Sequence, residues 1–105
     1  MTNYIALVRK DPDSDFGVDF PDFPGCVSAG ATVDEARRMA QEAFEFHVRG
    51  MVEDGDELPV PSSLDRVMAE PANGDVAEFF FVTLPDAAEP RLRTGNAGPK
   101  RALRR

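Results

Sequence analysis

Apolar and polar residues follow two different periods along this chain. Phe16, Val18 and Phe20 alternate with Gly17 and Asp19. That period of two turns one strand face to the core and the other to water. Pro21 has no N–H for a ladder, so this strand ends there. Pro24-Gly25 suits the centre of a type II turn, proline presetting φ and glycine accepting the positive φ that follows. Residues 26–30 then return as a further strand. Upstream, residues 4–9 are apolar on both sides and predict a central strand; residues 11–15 are a turn by composition.

From Val33 the period lengthens. Val33, Ala36, Ala40, Ala43, Phe44, Val48 and Met51 follow the spacing of one buried helix face. Thr32 and Glu35 form a capping box, and Asp34 and Glu35 suit the positive end of the helix dipole. Asp54-Gly55 supplies the stop, with glycine able to take the left-handed cap position. A helix over 33–54 is roughly 33 Å long, so its C-terminal half is expected to overhang the sheet. Leu58-Pro59-Val60-Pro61 must run extended. Ser62 or Ser63 caps a short helical turn at 64–68, and 71–74 is a turn. Residues 76–84 read as the last strand. Phe79-Phe80-Phe81-Val82 shows no alternation, so both of its faces are expected to be covered.

These elements predict an α+β fold: a single, mostly antiparallel four-stranded sheet in the order β-β-β-α-β. One long helix packs on one face, and the strand order is 3-2-1-4. The crossover is expected to be right-handed, with strand 4 parallel to strand 1. One helix covers one face only. The other face, or the edge at 79–82, is then expected to meet a second chain, which predicts a homodimer or higher homo-oligomer.

Composition adds a boundary. After Pro85, Pro90, Gly95, Gly98 and Pro99 break any element. Residues 1–86 therefore read as the folded body and 87–105 as a basic tail without fixed structure. The net charge of −7 divides unevenly. Residues 1–86 hold 18 acidic and 6 basic side chains, net −12; residues 87–105 hold 1 and 6, net +5. An acidic body repels nucleic acid and attracts basic proteins. One cysteine allows no intrachain disulfide and suits a reducing compartment. The N-terminus shows no basic segment followed by an apolar run, and no apolar stretch approaches ~18 residues. Those features predict a cytoplasmic protein without membrane contact.

Candidate chemistry is sparse. Asp19 and Asp22 flank Pro21, but two-metal chemistry needs several converging carboxylates and no third is assured. Asp19 reads as the wet face of a strand and Asp22 as a cap of the corner. His47 borders the buried helix stripe with no serine or cysteine placed as its nucleophile. Cys26 lacks the basic neighbour that activates a thiol and reads as a small core residue. No catalytic residue, metal site or cofactor is expected, and the chain does not read as an enzyme. Phe23, between two prolines, has two open readings: a plug over the end of the core, or an exposed aromatic anchor. Asp19, Asp22 and Phe23 are the candidate partner-binding residues. Phe79–Phe81 read as core.

Several features coincide: Tyr4 at the head of the first strand, the Phe20-Pro21-Asp22-Phe23-Pro24-Gly25-Cys26 corner, Ala29-Gly30-Ala31-Thr32, and Val33-Asp34-Glu35-Ala36. Gln41-Glu42-Ala43 and Asp56-Glu57-Leu58-Pro59-Val60-Pro61 complete the set. Over about residues 4–84 the chain resembles the HicB family of bacterial type II antitoxins, in particular its N-terminal domain. The resemblance implies a partial RNase H-like fold without nuclease activity. It also implies binding to a small basic HicA-like toxin, an mRNA interferase that cleaves with a histidine and whose active site the antitoxin occludes. The family often adds a C-terminal DNA-binding module. This chain departs there, since the 20 residues after Pro85 contain no amphipathic helix pair. The rival readings are an operator-binding transcriptional regulator that uses the basic tail, and an orphan HicB-like domain without a toxin.

Overall fold

A computed structural model of the chain describes residues 1–92. Strands β1 (Asn3–Lys10), β2 (Phe16–Asp19), β3 (Val27–Gly30) and β4 (Glu78–Thr83) form one sheet in the order β3-β2-β1-β4. Helix α1 (Val33–Glu53) packs on one face. The predicted class and strand order both hold. β1 is central and buried along most of its length, as its two-sided apolar run requires.

The local signals act as the residues dictate. The Cys26 N–H donates to the Phe23 carbonyl at 3.0 Å across Pro24-Gly25, and Gly25 takes φ +93°. This is the positive-φ position that a type II turn demands. The Glu35 N–H donates to the Thr32 hydroxyl at 3.1 Å. The Glu35 carboxylate reaches back to the Ala31 N–H at 2.7 Å, one residue before the cap itself. At the other end the Asp56 N–H donates to the Met51 carbonyl at 2.9 Å and the Gly55 N–H to the Val52 carbonyl at 3.0 Å. Gly55 sits at φ +79°, so the helix closes in a Schellman motif. Gly30 serves a different need: a Cβ there would lie 2.4 Å from the Ala36 nitrogen. Only a residue without a side chain lets the end of β3 pass this close to the first turn of α1.

Three expectations are corrected. β4 runs antiparallel to β1, with Asn3 opposite Thr83 and Val8 opposite Glu78. A lone helix between β3 and β4 would have made them parallel to each other and β4 parallel to β1. The chain instead makes a second traverse. It leaves α1, runs extended through Leu58-Pro59-Val60-Pro61, and returns along the opposite sheet face as α2 (Leu64–Ala69) and a 3₁₀ turn at Pro71–Asn73. That return is also the second correction, because Val67 of α2 packs on Ile5 and Leu7 and partly closes the face expected to be open. Ser63 is the cap of α2, its hydroxyl accepting from the Arg66 N–H at 3.2 Å.

The third concerns the boundary at 86. Residues Asp86–Arg91 form a 3₁₀ segment with Ala88 buried in the main core. Leu92 bridges Leu58, whose N–H donates to the Arg91 carbonyl at 2.8 Å. The packed body thus continues past 86 because this segment covers the overhanging half of α1 at Val48 and Val52. The remainder of the expected basic tail, 93–105, lies outside the described residues.

Candidate interaction surface

The corner between β2 and β3 is built inward. Its two turns, closed by the Phe23 N–H to the Phe20 carbonyl and the Cys26 N–H to the Phe23 carbonyl, both at 3.0 Å, fold the Phe23 ring under the end of the sheet. Phe23 is 2% exposed. It meets Tyr4 edge-on at a centroid distance of 4.8 Å and Phe44 edge-on at 5.3 Å. Offset and edge-to-face aromatic pairs of this kind contribute beyond their buried area. The ring is therefore the core plug of its two readings and not an exposed anchor. His47 borders it at 6.0 Å, half-buried on the side of α1. Cys26 is buried, and burial pushes its thiol pKa up.

Asp22 and Asp19 part company. The Asp22 carboxylate accepts from the Ser62 N–H at 2.9 Å and the Ser62 hydroxyl at 2.6 Å, which ties the extended Pro-rich exit to the corner. Asp19 accepts from the Arg9 Nε at 2.6 Å. Arg9 also donates to Asn73 Oδ1 at 2.6 Å, Asp75 at 2.8 Å and the Ala72 carbonyl at 3.1 Å. Asn73, itself buried, donates to the Val67 carbonyl at 2.9 Å. The Asp19 hydrogen bond comes first among the effects that raise the Arg9 pKa. Arg9 is thus the clamp that holds the return segment on the sheet. A sequence-level reading missed it because its partners lie ten to sixty-six positions away.

Tyr4 completes the corner. Its hydroxyl donates to the Pro59 carbonyl at 2.6 Å. Burial first, then the charges of Asp22 and Glu89, push its pKa up to about 12.

Two clefts flank these elements. One of about 300 Å³ is rimmed by Asp19, Ser62, Arg66 and Glu70. Another of about 530 Å³ lies between α1 and the 86–91 segment, with Glu45, Arg49 and Glu53 above an apolar floor of Val48, Val52 and Ala88. Among the described residues no three His, Cys, Asp or Glu side chains converge as a metal would require. No described helix is long and apolar enough to cross a membrane.

Exposed apolar side chains lie elsewhere, among them Phe46 on α1 and two rings of β4. Phe79 is 38% and Phe81 56% exposed. Both project from β4 on the α2 side, their rings edge-to-face at 5.9 Å. Phe80, on the other side, packs partly against the main core beneath the Arg37 guanidinium, 5.0 Å from its ring. The expectation that Phe79–Phe81 are core is corrected: α2 is too short to reach across the outermost strand. The clue was available in the topology, since a strand last in a 3-2-1-4 order is an edge.

The chain matches known proteins at this level of detail. Residues 4–93 match the model of a family described as HicB-like antitoxin of bacterial toxin-antitoxin system. A 14.9 kDa protein from the rep–hol intergenic region of Haemophilus phage HP1 is 44% identical over 83 residues, 79% of this chain and 59% of that protein. The chain thus spans about three-fifths of the length of that relative. The antitoxin HicB of Burkholderia pseudomallei superimposes with a TM-score of 0.74 at 29% identity, over 84% of this chain and 67% of the antitoxin. A chain of the HicA3 and HicB3 toxin-antitoxin complex superimposes with a TM-score of 0.64 at 28% identity, over 80% of this chain and 99% of that one.

Proposed function

This chain belongs to the family of HicB-like antitoxins, and from that premise we propose that it binds and neutralises a HicA-like mRNA interferase by covering its active site. The observation that carries the reading is the likeness to a chain of the HicA3 and HicB3 complex over 80% of this chain. The charge supports it. Residues 1–92 hold 19 acidic side chains against 7 basic, a field that draws in a basic RNA-binding protein and speeds the encounter. Carboxylates then stand where RNA phosphates would lie. Asp19 and Asp22, beside the smaller cleft, are assigned to that contact, while Phe23 supports it from within the core. In this reading the chain performs no catalysis of its own and acts in the cytoplasm, where its target enzyme works.

The test is co-expression with the neighbouring small basic open reading frame of its own genome, followed by pull-down through a tag on this chain. The expected result is a stoichiometric complex and restored growth in cells that the small protein alone arrests. A folded chain that neither captures the small protein nor relieves the arrest would reject the reading.

A further inference from the structure

We infer that residues 62–76, which carry α2 and the 3₁₀ turn, form a latch that opens as one unit while the rest of the fold stays intact. Arg9 keeps it shut, and the shut latch builds one wall of the smaller cleft. Little apolar surface holds the segment down. Val67 is its one buried apolar side chain, with Leu64 and Val76 packed partly beside it against Ile5 and Leu7. α1, by contrast, sinks Ala36, Ala40, Phe44 and Val48 into the main core. Segments with so little apolar burial open locally, at less cost than global unfolding. A helix of six residues is also too short to persist once released.

The attachments of the segment lie at its two ends. Just outside it the chain is fixed: the Tyr4 hydroxyl donates to the Pro59 carbonyl, and the Ala77 N–H donates to the Val8 carbonyl at 2.8 Å. Inside, Ser62 hangs on Asp22 through its N–H and its hydroxyl. At the far end Arg9 donates to the Ala72 carbonyl, Asn73 Oδ1 and Asp75. Asp19 on β2 holds the guanidinium from the sheet side. Asn73 makes the segment a single body. The same amide that accepts from Arg9 donates to the Val67 carbonyl in α2. Release from Arg9 therefore frees the turn and the helix together.

The smaller cleft has Asp19 and Pro21 on the corner side and Ser62, Arg66 and Glu70 on the latch side. It exists only while the latch is shut. With the toxin contact assigned to Asp19 and Asp22, on which this step rests, the shut chain is the form that binds. A partner that prefers the shut form draws the latch closed, and an open latch weakens the partner's hold by the same linkage.

The experiment is native-state hydrogen exchange on the full chain, alone and then saturated with the small basic protein of the neighbouring reading frame. The Val67, Asn73 and Val76 amides are expected to share one opening equilibrium with a shallow denaturant dependence. It is expected to be at least about a hundredfold more populated than the opening that the Phe44 and Val48 amides report. Arg9→Met is expected to raise latch opening about tenfold or more, the scale of one lost charge-assisted hydrogen bond. Arg9→Lys, which keeps the charge without the planar fork, is expected to fall between. Val48→Ala in the main core is expected to speed exchange in α1 and leave the latch amides unmoved, because the latch opens with that core intact. The added partner is expected to slow the latch amides. Latch amides that follow α1 in wild type and in Val48→Ala, or that ignore Arg9→Met, would overturn the latch. If the partner slows α1 but not the latch, the open chain binds as well as the shut one and the link to the cleft fails. If it slows neither, the toxin reading is rejected and the link with it, while the free chain still decides the latch.

Discussion

Phe20 and Phe23 lie in the corner after β2 and turn inward, whereas Phe79 and Phe81 lie on β4 and turn outward. The corner residues are separated by Pro21 and followed by Pro24-Gly25, a stretch that looks like a surface loop. Two consecutive turns, closed by backbone hydrogen bonds of 3.0 Å, curl it over the end of the sheet, and its aromatic rings complete the core with Tyr4 and Phe44. The β4 residues form an unbroken apolar run that looks like buried strand. Their position at the end of the strand order leaves one side without a strand neighbour among the described residues. Placement relative to the sheet, and not local hydrophobicity, decides which aromatic ring is buried and which is exposed.

The sharpest way to break this contrast is to remove one ring from each region. Phe23→Ala is expected to lower unfolding free energy by about 3–5 kcal/mol, the cost of emptying a packed aromatic site. Phe81→Ala, measured at concentrations where the chain is monomeric, is expected to change it by less than about 0.5 kcal/mol. Urea unfolding of both variants decides; comparable losses would erase the distinction. Gly30→Ala probes how tightly the corner's second strand is pressed to the helix. A Cβ 2.4 Å from the Ala36 nitrogen forces backbone to move, and a loss of about 1–3 kcal/mol is expected in thermal unfolding.

The smallest effect sharpens the picture through pH. Tyr4 is the sole tyrosine, so its ionisation is read directly from tyrosinate absorbance. The folded-state value is raised to about 12, above the unfolded value near 10. The fold therefore favours the neutral phenol. Its contribution is complete below about pH 10 and is lost as pH rises through about 12. Tyr4→Phe is expected to cost about 1 kcal/mol at neutral pH through the lost bond to Pro59 and to flatten the alkaline decline. A Tyr4 midpoint near 10 in the folded protein would show that the hydroxyl is not held as described.

Much of this fold is legible in the residues alone. The period of two over 16–20, the Pro24-Gly25 turn, the Thr32–Glu35 cap and the Gly55 stop are local devices. Each rests on residues within a few positions of one another, so sequence suffices to read them. The corner motif, the capped helix and the Pro-x-Pro exit also pointed to the antitoxin family. The Arg9 clamp, the buried state of Phe23 and the exposed state of Phe81 were not legible. Each depends on segments far apart in the chain.

The division follows from what each level of structure controls. Backbone dihedral preferences and hydrogen bonds between near neighbours determined the helix, the turns and the three-strand meander, and the residues alone carried them. The direction of β4 depended on how many times the chain crosses between β3 and β4. That number came from α2 returning along the far face, held there by Arg9 and Val67. Burial is a property of what lies opposite a residue, and only the assembled sheet decided that Phe23 is covered and that Phe81, among the described residues, is exposed.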